Sequence, residues 1–131
     1  MLDPDLPFDP DIITVAYGTN DWSHCERDAL IRSANEFFAR LRAQYPKAQI
    51  FAVTPTWRAD NHRVTKVGPF AEAGKIVRAA AEAQKDVTVI EGENLVPHLS
   101  NFFSDAYLHP NDAGFRYYAD ALYRAMRPHL K

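Results

Sequence analysis

Three short runs of β-branched and apolar residues, each ending in glycine or proline and followed by a longer stretch, restrict this chain to a few folds. Asp11 to Gly18, Gln49 to Pro55 and Val87 to Gly92 are nearly continuous in apolar character rather than alternating. That is how a strand buried on both faces of a parallel sheet reads. Between the first two, Ser23 and Glu26 form a capping-box pattern. Leu30, Ala34, Phe37 and Leu41 then recur at helical steps until Tyr45-Pro46 stops the helix. After the second run comes a polar loop, Thr56 to Gly68. Pro69 follows at a position suited to a helix start, ahead of Phe70, Ala73, Val77 and Ala80. Asn111 to Arg127 makes the last helix, with Phe115, Ala119, Leu122 and Met126 on its apolar face and Pro128 closing it. Strands alternating with helices of this length indicate right-handed crossover units and a doubly wound α/β sheet.

The 131 residues make one domain, residues 1–131, near the lower end for such a sheet. A formal net charge of −2 leaves no electrostatic footprint for nucleic acid. No run approaches the length that spans a bilayer, and Met1 to Asp5 lacks the basic start and apolar centre of a signal peptide, so a cytoplasmic protein without membrane partners is expected. Cys25 is the only cysteine, which excludes an internal disulfide. It forms no zinc pattern with His24, His62, His98, His109 and His129, and neither a metal nor a cofactor is expected.

Ligands of open parallel sheets bind at the carboxyl ends of the strands. Gly18-Thr19-Asn20-Asp21 follows the first run, and Asp105 to Phe115, containing His109-Pro110-Asn111-Asp112, follows the third. Each segment alone has a plain structural reading, the first as a turn that caps the next helix, the second as a proline turn with a helix cap.

Together they resemble the SGNH hydrolases, also called GDSL esterases and lipases, whose third block is Gly-x-Asn-Asp and whose last block is Asp-x-x-His-Pro. The resemblance runs from about Asp11 to the end and implies a three-layer α/β/α, flavodoxin-like sheet. It also implies roles. Asn20 would donate its amide to the oxyanion that forms on an ester carbonyl, beside Gly18, Thr19 and Trp22 as substrate-binding positions. His109 would be the general base, a task suited to imidazole because its charge changes near neutral pH. The family's orienting carboxylate stands three residues before the histidine. Here Ala106 holds that place and Asp105 stands four before, so one inserted residue must be absorbed if Asp105 is to orient the ring; otherwise it caps the turn.

The larger departure is that the sequence contains no Gly-Asp-Ser block and no separate glycine block before Gly18. The resemblance therefore implies a family domain truncated at its N-terminus, with the usual nucleophilic serine missing. The serines present are Ser23, Ser33, Ser100 and Ser104. Ser23, three residues beyond Asn20, is either the nucleophile or a helix cap; Ser104 is the other serine beside the motifs, and Ser33 falls inside a helix. Cys25 beside His24 is a thiol alternative, and water activated by His109 needs no nucleophilic side chain. Trp57 and Arg58 follow the second strand, where they either face substrate or pack and solvate.

The leader Asp3 to Pro10, rich in acid and proline, cannot pair with Asp11 to Gly18. The first strand is then an edge, with the apolar face around Ile13 and Val15 open, and such an edge invites another strand. The expected protein is a hydrolase of short-chain carboxylic esters that forms a homodimer or larger oligomer through residues 11–18. The alternative is an inactive or partner-dependent fragment of the same fold, including one completed by a separate N-terminal piece carrying the serine.

Overall fold

The computed structural model describes residues 8–131. In chain order the elements are β1 (Ile12–Ala16), α1 (Thr19–His24), α2 (Arg27–Gln44), β2 (Gln49–Val53), β3 (Val64–Thr65), β4 (Gly68–Pro69), α3 (Phe70–Glu82), β5 (Val87–Ile90) and α4 (Asp112–Met126). Short 3₁₀ turns lie at Ser100–Phe102 and Arg127–His129. The leader residues read above lie for the most part outside the described residues.

β1, β2 and β5 form a parallel sheet in the order β1-β2-β5. Thr14 stands opposite Phe51, and Ala52 opposite Val89. The central place of β2 explains its unbroken apolar run: Ile50, Phe51, Ala52 and Val53 are all buried. On one face Ile50 and Ala52 meet Leu30, Ala34, Phe38 and Leu41 of α2 and Ala73, Val77 and Ala80 of α3. On the other, Phe51, Val53 and Ile90 meet Tyr118, Ala121, Leu122, Ala125 and Met126 of α4. The result is three layers, helix on sheet on helix. Burying each of Leu30, Phe38 and Leu41 contributes roughly 1.5–3 kcal/mol.

Four expectations need correction. The helix after the first strand is two helices, and Ser23 does not cap the second: it sits in the last turn of α1 and its hydroxyl donates to the Asn20 carbonyl at 3.1 Å. The polar loop after β2 contains an antiparallel hairpin, β3 to β4. Phe115 and Ala119 are exposed, because the packed face of α4 is rotated toward Tyr118, Ala121 and Ala125. On β1, Ile13 and Val15 are half-buried against α2 and α3, while Ile12, Thr14 and Ala16 on the α4 side are exposed. The open face at the edge is the opposite of the one expected. Among the described residues no helix is long and apolar enough to cross a membrane.

Candidate active site

At the carboxyl end of β1 the chain turns through Gly18, at φ 97°. A Cβ there would lie 2.9 Å from Val77 Cγ2, so both the backbone conformation and the close approach of α3 require glycine. The turn sets Thr19 and Asn20 at the start of α1. Asn20 is exposed, its carbonyl accepts from Ser23 and, at 2.9 Å, lies against His24 Nδ1. Its side-chain amide makes no hydrogen bond among the described residues. Trp22 faces the other way, wholly buried, with Nε1 donating to the Gly68 carbonyl at 3.0 Å. It is a core residue and lines no substrate surface.

The segment before α4 folds back on itself. Phe103 and Pro110 form an antiparallel bridge, and the Ser104 amide donates to the His109 carbonyl at 2.8 Å. Within this loop Asp105 Oδ1 accepts the amides of Tyr107, Leu108 and His109 at 3.1, 2.7 and 3.1 Å. Asp105 Oδ2 meets His109 Nδ1 at 2.6 Å. Ala106, at φ 65°, takes up the extra residue in a left-handed conformation that L-residues seldom adopt. Asp105 therefore both caps the turn and holds the ring. Asn111 Oδ1 accepts from the Gly114 amide at 3.0 Å and opens α4 immediately behind the histidine.

Burial opposes the charged form of Asp105, yet the Leu108, Tyr107 and His109 amides and the His109 ring outweigh it and hold the carboxyl well below the usual range. An ionised carboxylate only accepts, so in the neutral ring Nδ1 carries the proton and Nε2 keeps its lone pair. The ring is 69% exposed, and Nε2 makes no hydrogen bond among the described residues.

The two strand-end segments are joined by the loop after β2. Arg58, only 3% exposed, donates from Nη1 to the Thr19 carbonyl at 3.0 Å, and from Nε and Nη2 to Asp60 at 2.5 and 2.9 Å. Its guanidinium lies 4.9 Å from the centre of the Trp22 ring. Next to it, the Ala59 amide donates to the Tyr107 carbonyl at 2.9 Å. Residues 57–60 thus hold the Asn20 turn from one side and the His109 loop from the other. Arg58 is neither solvated nor free to meet substrate, and nothing in the sequence marks an arginine at a strand end as the buried one. Trp57 is stacked on His98, with centroids 5.0 Å apart, and packs on Phe103.

No serine or cysteine side chain is hydrogen-bonded to the His109 ring among the described residues. Ser23 is spent on Asn20, and Ser104 Oγ donates to the His109 carbonyl at 3.1 Å. Ser33 lies on the exposed side of α2 and Ser100 in the 3₁₀ turn. Burial, and then the neighbouring Asp21, push the Cys25 thiol up, away from a reactive thiolate. A cleft of about 440 Å³ between Thr54, Phe70, Gly74 and Glu91 lies on the α3 side and includes neither Asn20 nor His109. No cluster of three or more metal-binding side chains occurs among the described residues.

A family model, the GDSL-like Lipase/Acylhydrolase family, matches residues 1–117. The chain belongs to the GDSL-like lipase and acylhydrolase family. The α/β/α arrangement of this GDSL-like chain matches solved structures over most of its length. A protein of Lactobacillus plantarum shares 16% identity at a TM-score of 0.79, with 97% of this chain and 71% of that one covered. A peptidoglycan O-acetylesterase shares 16% at 0.72, covering 91% and 37%. A carbohydrate esterase family 3 protein of Talaromyces cellulolyticus shares 17% at 0.67, covering 92% and 58%. Likeness at these identities concerns the fold, and the GDSL-like chain spans only part of each neighbour. Among curated proteins none matches.

Proposed function

We propose that this chain hydrolyses short-chain carboxylic esters, with His109 as general base, Asp105 as its orienting acid and Asn20 as oxyanion donor. One observation carries the reading: a carboxylate held by three backbone amides fixes the tautomer of an exposed imidazole at the carboxyl edge of the sheet. In the simplest cycle Nε2 takes a proton from water as its oxygen bonds to the ester carbonyl carbon. The charge that develops on the carbonyl oxygen is met by the Asn20 amide, an interaction made mainly in the transition state. Collapse breaks the bond to the alcohol oxygen, which takes the proton back from the imidazolium and leaves as alcohol. Gly18 and Thr19 would serve as the turn that presents Asn20. A small acyl group accords with the acetylesterase named among the structural neighbours.

The purified protein should hydrolyse p-nitrophenyl acetate and butyrate with saturation, and faster than free imidazole at equal concentration. A linear rate no greater than imidazole's defeats the proposal. Ser23→Ala is expected to leave turnover unchanged, since that hydroxyl is engaged by Asn20; loss of turnover would make Ser23 the nucleophile after all.

A second reading is favoured by the lack, among the described residues, of a serine or thiol on the His109 ring: an inactive or partner-dependent domain whose nucleophile comes from outside these 131 residues. It predicts no saturable turnover from the chain alone, and turnover on adding the piece that carries a serine.

A further inference from the structure

We infer that the cleft between α3 and the carboxyl ends of β2 and β5 binds a neutral, hydroxyl-rich ring of monosaccharide size. The inference is independent of the hydrolase reading.

The walls of this cleft are tied in place. At the ends of β2 and β5 the chain segments approach so closely that a Cβ on Gly92 would lie 1.7 Å from the Thr54 carbonyl oxygen. The Gly92 amide donates to Thr54 Oγ1 at 2.9 Å, and that hydroxyl donates to Glu91 Oε2 at 3.0 Å. Arg78 of α3 holds the other oxygen of Glu91. On the opposite side Phe70 stands edge to face against the buried Trp22, with ring centroids 5.0 Å apart. The enclosed volume of about 440 Å³ falls in the range of small-molecule sites.

A glycine keeps the space open. Gly74 lies inside α3, where glycine is less stable than alanine. Neither its backbone nor its surroundings require it: its φ is not positive, and beyond the helix backbone a Cβ would meet only Thr54 Cβ, at 3.9 Å, an ordinary contact. Gly18 and Gly92, by contrast, are hemmed in by neighbours at 2.9 and 1.7 Å. The room that a side chain at position 74 would take belongs to the cleft.

The polar lining selects the occupant. Lys75 and Arg78 stand with Glu91 and Glu93, two cations and two carboxylates, so the lining has no net charge with which to favour an anion or a cation. The Asn61 side-chain amide and the Glu93 carboxylate make no hydrogen bond among the described residues, and Lys75 gives one of its three donors to Glu72 at 2.7 Å. Free donors beside free acceptors suit hydroxyls, each of which does both. Pro55, Pro69 and Phe70 add an apolar wall. A pyranose presents both characters at once, with C–H groups on its faces and hydroxyls around its rim.

Titration of isotope-labelled protein, followed at the Gly92 amide, tests this. The probes are methyl β-glucoside and methyl β-galactoside, with glucose phosphate and glucosamine as charged counterparts, each taken to about 50 mM. At least one neutral glycoside should cause a saturating shift with a Kd of about 1 mM, and neither charged counterpart should bind more tightly. A double variant, Asn61→Ala with Glu93→Ala, should keep the parent's melting temperature and bind at least about tenfold more weakly. Gly74→Ala should melt about 3 °C higher and yet bind about threefold more weakly, a pairing of signs that a glycine needed by the fold does not give. Neutral glycosides that cause no saturable shift overturn the inference, as does binding confined to a charged counterpart. So does a glycoside that the double variant binds as the parent does, or a Gly74→Ala protein that melts below the parent.

Discussion

Ester turnover is expected to fall by about 10²–10⁴-fold in His109→Ala, and by a similar factor in Asp105→Asn. The second loss is the more informative, because asparagine fills the same volume and still offers an oxygen to the three amides. What changes is the other atom: an amide nitrogen would donate to His109 Nδ1, forcing the proton onto Nε2 and leaving no lone pair for the incoming water. Steady-state rates on p-nitrophenyl acetate measure both variants, and an Asp105→Asn protein with the parent's rate would remove Asp105 from the catalytic apparatus. Stability supplies an independent check. Because the folded carboxyl titrates below its unfolded value, its stabilising effect is complete above the ordinary carboxylate pKa of about 4 and drains away as pH falls through the range beneath it. The gap in melting temperature between parent and Asp105→Asn should therefore be widest at neutral pH and should narrow in acid. A gap that widens in acid would contradict the assigned hydrogen bonds.

Arg58→Ala should destabilise the fold by about 3 kcal/mol, the lower end of the cost of breaking a buried ion pair. The lower end applies because Asp60, 18% exposed, keeps Arg63 as a partner at 2.9 Å. The loss has three parts: a carboxylate without its fork, a Thr19 carbonyl without its donor, and a Trp22 ring left with only the more distant Arg63 guanidinium, 5.8 Å from its centre. Lysine restores the charge but can neither grip Asp60 with two parallel bonds nor reach Thr19 at the same time, so Arg58→Lys should recover only part of the stability. Urea unfolding of the three proteins checks the order. A loss under about 1 kcal/mol in Arg58→Ala would show that the loop relaxes and finds water, and that the pair contributes little net energy.

Much of the fold was legible because its signals are local and repeated. The runs at residues 11–18, 49–55 and 87–92 contain β1, β2 and β5, and the stop at Tyr45-Pro46 ends α2 where the residue before a proline leaves the helical region. The β3 to β4 hairpin was not legible: its strands are two residues each, too short for any alternation, and Pro69 signals a helix instead. α1 escaped for a related reason, since six residues give less than two turns of periodicity and no side chain caps it. The faces of α4 and β1 were misjudged because a sequence pattern ranks residues by hydrophobicity, whereas burial depends on which neighbours are present to cover them. At the site, the Asp105 and His109 pairing turned on one dihedral, the positive φ of Ala106, which no spacing argument supplies. The part played by Arg58 depends on contacts with residues 39 positions away and has no local signature.

The loop that carries His109 is closed upon itself, from the Phe103 to Pro110 bridge inward, and nearly every bond that shapes the pair spans five residues or fewer. The Asn20 turn is placed by a residue from another strand end. The pairing of the proposed base with its acid is thus mainly short-range, tied to the loop after β2 by the Ala59 amide on the Tyr107 carbonyl, while the placing of the proposed oxyanion donor rests on Arg58 and waits for the sheet to assemble. Under mild denaturant the two halves should part company, with amide exchange opening at Trp22 and Cys25, whose amides bond the Gly18 and Asp21 carbonyls, at lower free energy than at Leu108 and His109. A chain of this design would lose the proposed oxyanion donor while its histidine and aspartate are still paired.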